Sequence, residues 1–421
     1  MVNAFRRRAG DPIAVREPAR EDAEDSREHA LQDAQNFSLV LGGPLFQLFR
    51  RAHLSDDALL LVSQRVVFIS LLAWLPLLLL SAVQGQLWSG AVAVPFLFDL
   101  EVHIRFLVVV PLLVIAEPLV HQRLHPIGQE FLRRRLIPVP ALARFDDALR
   151  SAYRWRNSAL AEALLVVLVY ALGVLLIWRH YIALDASTWY ASASDGGSKL
   201  SVAGAWYGYV SLPIFQFLLI RWYFRLFIWA RFLWQVSRID LALIPTHPDR
   251  LGGLGFLSGT AHAFALLLVA HGAMLAANLA NRIFFLGAAL TDFKAEILLM
   301  AVLLLALVLG PLLVFAPRLA RTRRTGIREF EAFAERYARE FDTKWLSADA
   351  PRDEPLLGSA DIQSLADLAN AYEVVRSMRV APVTREALMQ LAAASLVPLL
   401  PLALTMMPLE ELLKQLLRIL F

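Results

Sequence analysis

Six runs of about twenty apolar residues, at 64–83, 102–120, 160–178, 206–236, 261–286 and 293–316, are separated by short polar connections. A helix needs roughly 20 such residues to cross a hydrocarbon core about 30 Å thick. Lipid offers the backbone no hydrogen bonds, so each run predicts a helix. The predicted fold class is all-α, a polytopic membrane helical bundle of six spans. A further apolar stretch at 387–407 is interrupted by Pro398 and Pro401, and predicts a seventh segment that either spans or re-enters. The last residues place Glu410, Glu411, Lys414 and Arg418 on one side and leucines on the other, as an amphipathic helix does.

The pattern changes after 317. Ile327, Phe330, Ala334, Tyr337 and Phe341 recur every three or four positions, as do Leu365, Leu368, Tyr372 and Val375. Both stripes predict helix faces that need partners. Pro351, Pro355 and Gly358 break the chain between them. The chain therefore divides into a charged tail at 1–57, interfacial over 37–49, a bundle at 58–316, a helical region at 317–386 and a membrane-embedded end at 387–421. Arg6, Arg7 and Arg8 precede no apolar core, so no cleavable signal is expected.

Arginine sets the orientation. The connection 84–101 has no Lys or Arg, 122–158 has eight Arg, and 179–205 has only two basic residues. Arg318, Arg321, Arg323, Arg324 and Arg328 then follow the sixth span. The excess of positive charge on inner loops predicts a cytoplasmic N-terminus, with 122–158, 237–260 and the region after 317 on the same side. Hydrophobic residues make up 58% of the 421, above the roughly half found in soluble domains. Net charge is only +4, so no nucleic-acid partner is indicated. With no cysteine, thiolate metal sites and cysteine nucleophiles are excluded.

The fourth run carries Arg221 and Arg225, four residues apart and on one helix face. Arginine at that depth needs a partner or water. Glu117 and Glu162 are the candidate partners. The four residues read as buried ion pairs or as an anion-attracting pathway. Glu117, His121 and His125 share a face through their i, i+4, i+8 spacing, which suits an interfacial histidine pair or a divalent metal. The connection His247-Pro248-Asp249-Arg250-Leu251-Gly252-Gly253-Leu254-Gly255 reads as a tight turn or as a gating or ligand loop. Its glycines permit positive φ, and its free N–H groups precede a helix start that favours an anion. His247 and Asp249 are expected near Glu117, His121 and His125. Asp99, Glu101 and His103 read as a solvated rim. No hydrolase, nucleotide or cofactor motif stands out, so no cofactor is expected.

The stretches HPDRLGGLGF and DIQSLADLANAYEVVRSMR resemble segments of bacterial multi-pass inner-membrane proteins to which no activity is attached. The resemblance implies a bacterial inner membrane and names no substrate. Three functions remain open: a channel- or transporter-like permeation protein, a sensor or scaffold recruiting a partner through its cytoplasmic helices, and a membrane enzyme with an inner-face His/Glu/Asp site. Expected partners are membrane lipid, further copies of the chain and a cytoplasmic protein.

Overall fold

The computed structural model describes residues 37–40, 42–43, 61–88, 92, 94–171, 173, 188–194, 197–347 and 359–403. In chain order its main elements are α1 Val62–Val83, α2 Leu100–Arg133, α3 Leu142–Arg156, α4 Ala159–Ala171, β1 Ala191–Ser194, β2 Gly197–Leu200, α5 Val202–Ser237, α6 Leu254–Leu286, α7 Leu290–Leu346, α8 Ala360–Arg376 and α9 Arg385–Ala403. The fold is helical apart from the β1–β2 hairpin, which pairs Ala191 with Leu200 and Ser194 with Gly197.

Among the described residues, six helices are long and apolar enough to cross a membrane: α1, α2, α5, α6, α7 and α9. The number matches the six expected spans, but the membership differs. The expected third span, 160–178, is described only over α4 and Gly173, and the rest lies outside the described residues. α9 is the stretch left between spanning and re-entrant. The C-terminal amphipathic segment, from 404 onward, lies outside the described residues.

Large apolar side chains fall into two populations. Ile69, Ala73 and Leu77 of α1, Val109, Val110 and Leu113 of α2, and Leu218, Trp222, Leu226 and Trp229 of α5 form one continuous buried core. Phe68, Leu71, Leu72 and Leu75 of α1 and Leu298, Leu299, Val302 and Leu303 of α7 are exposed. A contiguous exposed apolar belt is unfavourable in water and suits contact with lipid chains. α3 is amphipathic and lies along α5, with Phe145, Leu149 and Ala152 inward and Arg144, Arg150 and Arg154 outward.

Two boundaries differ from expectation. Phe37, Leu39 and Val40 were expected in the headgroup layer with the rest of 37–49. Instead they are buried, and the Phe37 ring sits 4.9 Å from Phe232 and 6.3 Å from Tyr153. An aromatic ring finds more contact between helices than on them. The boundary at 317 is no break in the backbone: α7 runs without interruption from 290 to 346. α8 folds back on it, and the two expected stripes meet, half-buried, with Tyr372 donating to Glu331 at 2.7 Å and Lys344 paired to Asp361 at 2.8 Å.

α6 and α9 approach closely at Gly272. A Cβ there would lie 2.2 Å from the Ser395 carbonyl oxygen, which belongs to backbone and cannot swing aside. Gly259, on the same chain segment, has nothing within 4 Å. Gly272→Ala is therefore expected to destabilise the protein by about 1–3 kcal/mol through overpacking. Gly259→Ala should be close to neutral. Thermal unfolding of both variants in mild detergent checks the contrast.

Candidate functional site

Four helices contribute charged side chains to one buried centre. Glu117 of α2 sits in the middle. Its Oε2 accepts from Arg65 of α1 at 2.7 Å, and its Oε1 accepts from Arg225 of α5 at 2.8 Å and Arg221 at 3.3 Å. Glu162 of α4 lies 3.5 Å from the other terminal nitrogen of Arg221. The helical spacing of Arg221 and Arg225 brings both onto the face of α5 that meets α2. Arg225 also stacks over Trp222, 4.7 Å from the ring centroid, while the Trp222 indole donates to the Leu113 carbonyl at 2.9 Å.

Arg65, Glu117, Arg221 and Arg225 are all buried, with Arg65 only 2% exposed. A buried charge is tolerated only when paired and hydrogen-bonded, because its solvation is lost. Among the described residues three guanidinium groups face two carboxylates, one positive charge in excess. The Nε and one terminal nitrogen of Arg65 have no hydrogen-bond partner among the described residues.

The structure thus brings together the four residues expected to associate, Arg221, Arg225, Glu117 and Glu162, and adds Arg65. The signal for Arg65 was present: it is one arginine near the start of an otherwise apolar helix. Its position at the end of the run made it resemble a boundary charge.

The expected Glu117, His121 and His125 set is divided. Both oxygens of Glu117 are engaged by arginine. His121 Nδ1 instead lies 3.0 Å from the Ser38 hydroxyl, and the rings of His121 and His125 meet edge to face at 5.1 Å. Among the described residues, no group of three His, Asp or Glu side chains is placed to hold a metal. His247 and Asp249 pair with each other, 2.9 Å apart, and complete no such group among the described residues.

The 247–255 loop is occupied by its own carboxylate. Asp249 accepts from the backbone N–H of Leu251 at 2.7 Å, Gly253 at 3.2 Å and Gly255 at 2.8 Å, and His247 Nδ1 lies 2.9 Å from its Oδ1. The amides expected to attract an external anion already hold one. Gly252 and Gly253 take φ of 64° and 100°, and Arg250 takes 55°. That turn presents the Arg250 carbonyl to the backbone N–H of Arg379 at 2.8 Å, just beyond α8. Pro245 packs on Gly326 of α7, where a Cβ would meet it at 2.8 Å. The loop fastens the α7–α8 pair to the bundle.

A second polar centre, near the β1–β2 hairpin, was not expected. Asp99 was read as part of a solvated rim but is 6% exposed. It accepts from the Trp189 indole at 2.9 Å, from Asn281 at 2.9 Å and from the Val102 N–H at 3.4 Å. Arg105, 7% exposed, bonds both Glu101 and the Tyr207 hydroxyl. Twelve residues of helix separate Arg105 from Glu117, about 18 Å along α2. Buried Val109, Val110, Leu113, Phe215, Leu218 and Trp222 fill the interval on α2 and α5.

These features define a helical protein of membrane-length apolar helices with two buried polar centres separated by an apolar layer. Set beside known proteins, the chain matches no family model, no curated protein and no solved structure.

Two outcomes follow from this geometry. Glu117→Ala leaves three buried arginines without their shared acceptor and should cost roughly 3–5 kcal/mol, whereas Glu162→Ala, at the edge of the centre, should cost clearly less. Yield and melting temperature of the two variants check the order. For Asp249, burial alone would raise the carboxyl pKa, but the N–H groups of Leu251, Gly255 and Gly253, helped by His247, outweigh it and hold the pKa below the ordinary value. Its stabilisation is therefore complete above the usual aspartate range and is lost as pH falls through the lower folded-state value. Asp249→Asn should cost about 1–2 kcal/mol at neutral pH, as loss of a carboxylate cap does, with the difference from wild type shrinking in acid. Melting curves across pH check the sign.

Proposed function

We propose that this protein is a permeation protein of the bacterial inner membrane, channel- or transporter-like, with its N-terminus, the part of α7 after 317 and α8 in the cytoplasm. The observation that carries this reading is the five-member centre around Glu117. Buried ion-pair networks add little net stability compared with apolar packing of the same volume. A network that joins α1, α2 and α5 through one carboxylate, and α4 through a second, is better suited to hold two arrangements of those helices apart. Any relative shift of α1 or α5 against α2 must break it.

On this reading the Glu117 centre closes the inner half of the pathway, the layer of Leu113, Leu218 and Trp222 insulates it, and the centre at Asp99 and Arg105 faces outside. The eight arginines of 122–158 and those after 317 support this orientation. The excess positive charge and the free nitrogens of Arg65 favour an anion once the centre opens. The 247–255 loop couples α7 and α8 to the bundle and gives them a route to gating. Homo-oligomeric assembly would cover their exposed side chains.

Reconstitution into liposomes, with chloride and potassium flux measured separately, tests the reading. Arg221→Leu should change chloride flux on the order of tenfold, the scale of one buried charge-assisted hydrogen bond, and Arg221→Lys should stay near wild type. Unaltered flux in both variants would remove Arg221 from the pathway. A sensor or scaffold is the second reading, favoured by exposed Phe333, Leu346 and Ile362 on or beside α7 and α8. It takes precedence if the reconstituted wild type passes neither ion.

A further inference from the structure

A cavity of about 430 Å³ lies at the hairpin end of the bundle, between α2, α5 and α6. That volume fits a small organic molecule. Its wall includes Asp99, Glu101, Arg105, Gln216, Asn278 and Asn281, with the rings of Tyr207 and Phe215. Three of these residues carry a buried polar atom with no hydrogen-bond partner among the described residues: Arg105 Nε, Gln216 Oε1 and Asn281 Oδ1. Buried polar atoms are nearly always satisfied, so three on one wall point to something that completes them.

The identity of the free atom on Asn281 is chemically determined. Its amide nitrogen donates to Asp99, an acceptor only, so the oxygen is the end left over. Gln216 Oε1 is pressed against Gly173, where a Cβ would come within 2.0 Å of it. The wall therefore has two free acceptors and one free donor.

Charge points the same way. Asp99 and Glu101 stand against one arginine, Arg105. The other arginine in the wall, Arg282, is paired with Glu296 at 3.1 Å. Among the described wall residues one negative charge remains in excess. The Glu101 side chain is 28% exposed and engages Arg105 through a single oxygen.

The backbone is also unusual here. Helical runs α2 and α5 each contain one π-turn, Arg105–Val109 and Tyr207–Ser211, and the first residues of the two turns bond each other in the cavity wall. π-helical bonding also marks 169–171 of α4 and Gly173, a third wall element. π-turns account for well under about 1% of residues and concentrate at functional sites.

We infer that this cavity binds the protonated amine of a small organic molecule. The ammonium is received by the open side of the Glu101 carboxylate, and Asn281 Oδ1 and Gln216 Oε1, enclosed in the wall, turn toward it only as the ligand enters. Arg105, held by Glu101 and Tyr207, offers its Nε to an acceptor elsewhere on the ligand. The inference stands apart from transport, since binding needs no flux, and either can fail alone.

Equilibrium dialysis of the full-length protein in mild detergent tests it, with phenethylamine as probe and 3-phenylpropionate as the same body carrying the opposite charge. Phenethylamine should bind saturably and 3-phenylpropionate should not. Glu101→Gln and Asn281→Leu should each weaken phenethylamine on the order of tenfold, with Gln216→Leu as a further wall variant and melting curves as the folding control. Displacement of phenethylamine by phosphatidylethanolamine but not by phosphatidylglycerol assigns the amine to a lipid headgroup, and its absence assigns it to a soluble amine. Absence of saturable phenethylamine binding, equal or tighter binding of 3-phenylpropionate, or unchanged affinity in the folded wall variants overturns the inference.

Discussion

The carboxylate of Glu117 is the constraint on which the rest of the bundle turns. One anionic side chain in an apolar interior receives arginines from two other helices, and one of those arginines reaches on to a fourth helix through Glu162. None of the three arginines could be buried alone. Because each depends on the same two oxygens, α1, α2, α4 and α5 are held in one relative register. Apolar packing around them is non-directional and could be satisfied by several registers. The ionic centre selects one.

The second polar centre obeys the same rule at the N-terminal end of α2, away from Glu117 at its middle. Asp99 is held by an indole, an amide and a backbone N–H, and Arg105 by Glu101 and Tyr207. Between the centres lies a layer of apolar side chains. That division places charge only where partners exist and leaves the interval between the two centres apolar. It also means that motion of α2 relative to α5 is felt at both centres, since both bridge those helices.

Much of the architecture was legible because lipid imposes length and apolarity on a helix, and 64–83, 102–120, 206–236, 261–286 and 293–316 all show it. The depth and spacing of Arg221 and Arg225 forced a search for acids, and Glu117 and Glu162 were the ones at matching depth. Arg65 escaped because a single charge near a helix end looks solvated until the neighbouring helix is known. The Asp99 centre escaped for a related reason. Its contacts join residues about 90 and 182 positions apart in sequence, and no local period records them. The 247–255 loop read as a tight turn or a ligand loop, and what occupies its amides is local: an aspartate two residues before an amide folds back on its own backbone. Phe37 was placed outside the bundle because thirteen apolar residues ending in two arginines look interfacial, and only packing reveals that a ring fits between Tyr153 and Phe232.

The most direct test is a double-mutant cycle between Glu117 and Arg225, using Glu117→Gln, Arg225→Gln and the pair, with unfolding free energies measured in mild detergent. If the shared carboxylate sets the helix register, the two substitutions should be strongly non-additive, with a coupling energy of about 1 kcal/mol or more. Additive effects, with coupling near zero, would mean that apolar packing alone positions α2 against α5 and would contradict the account.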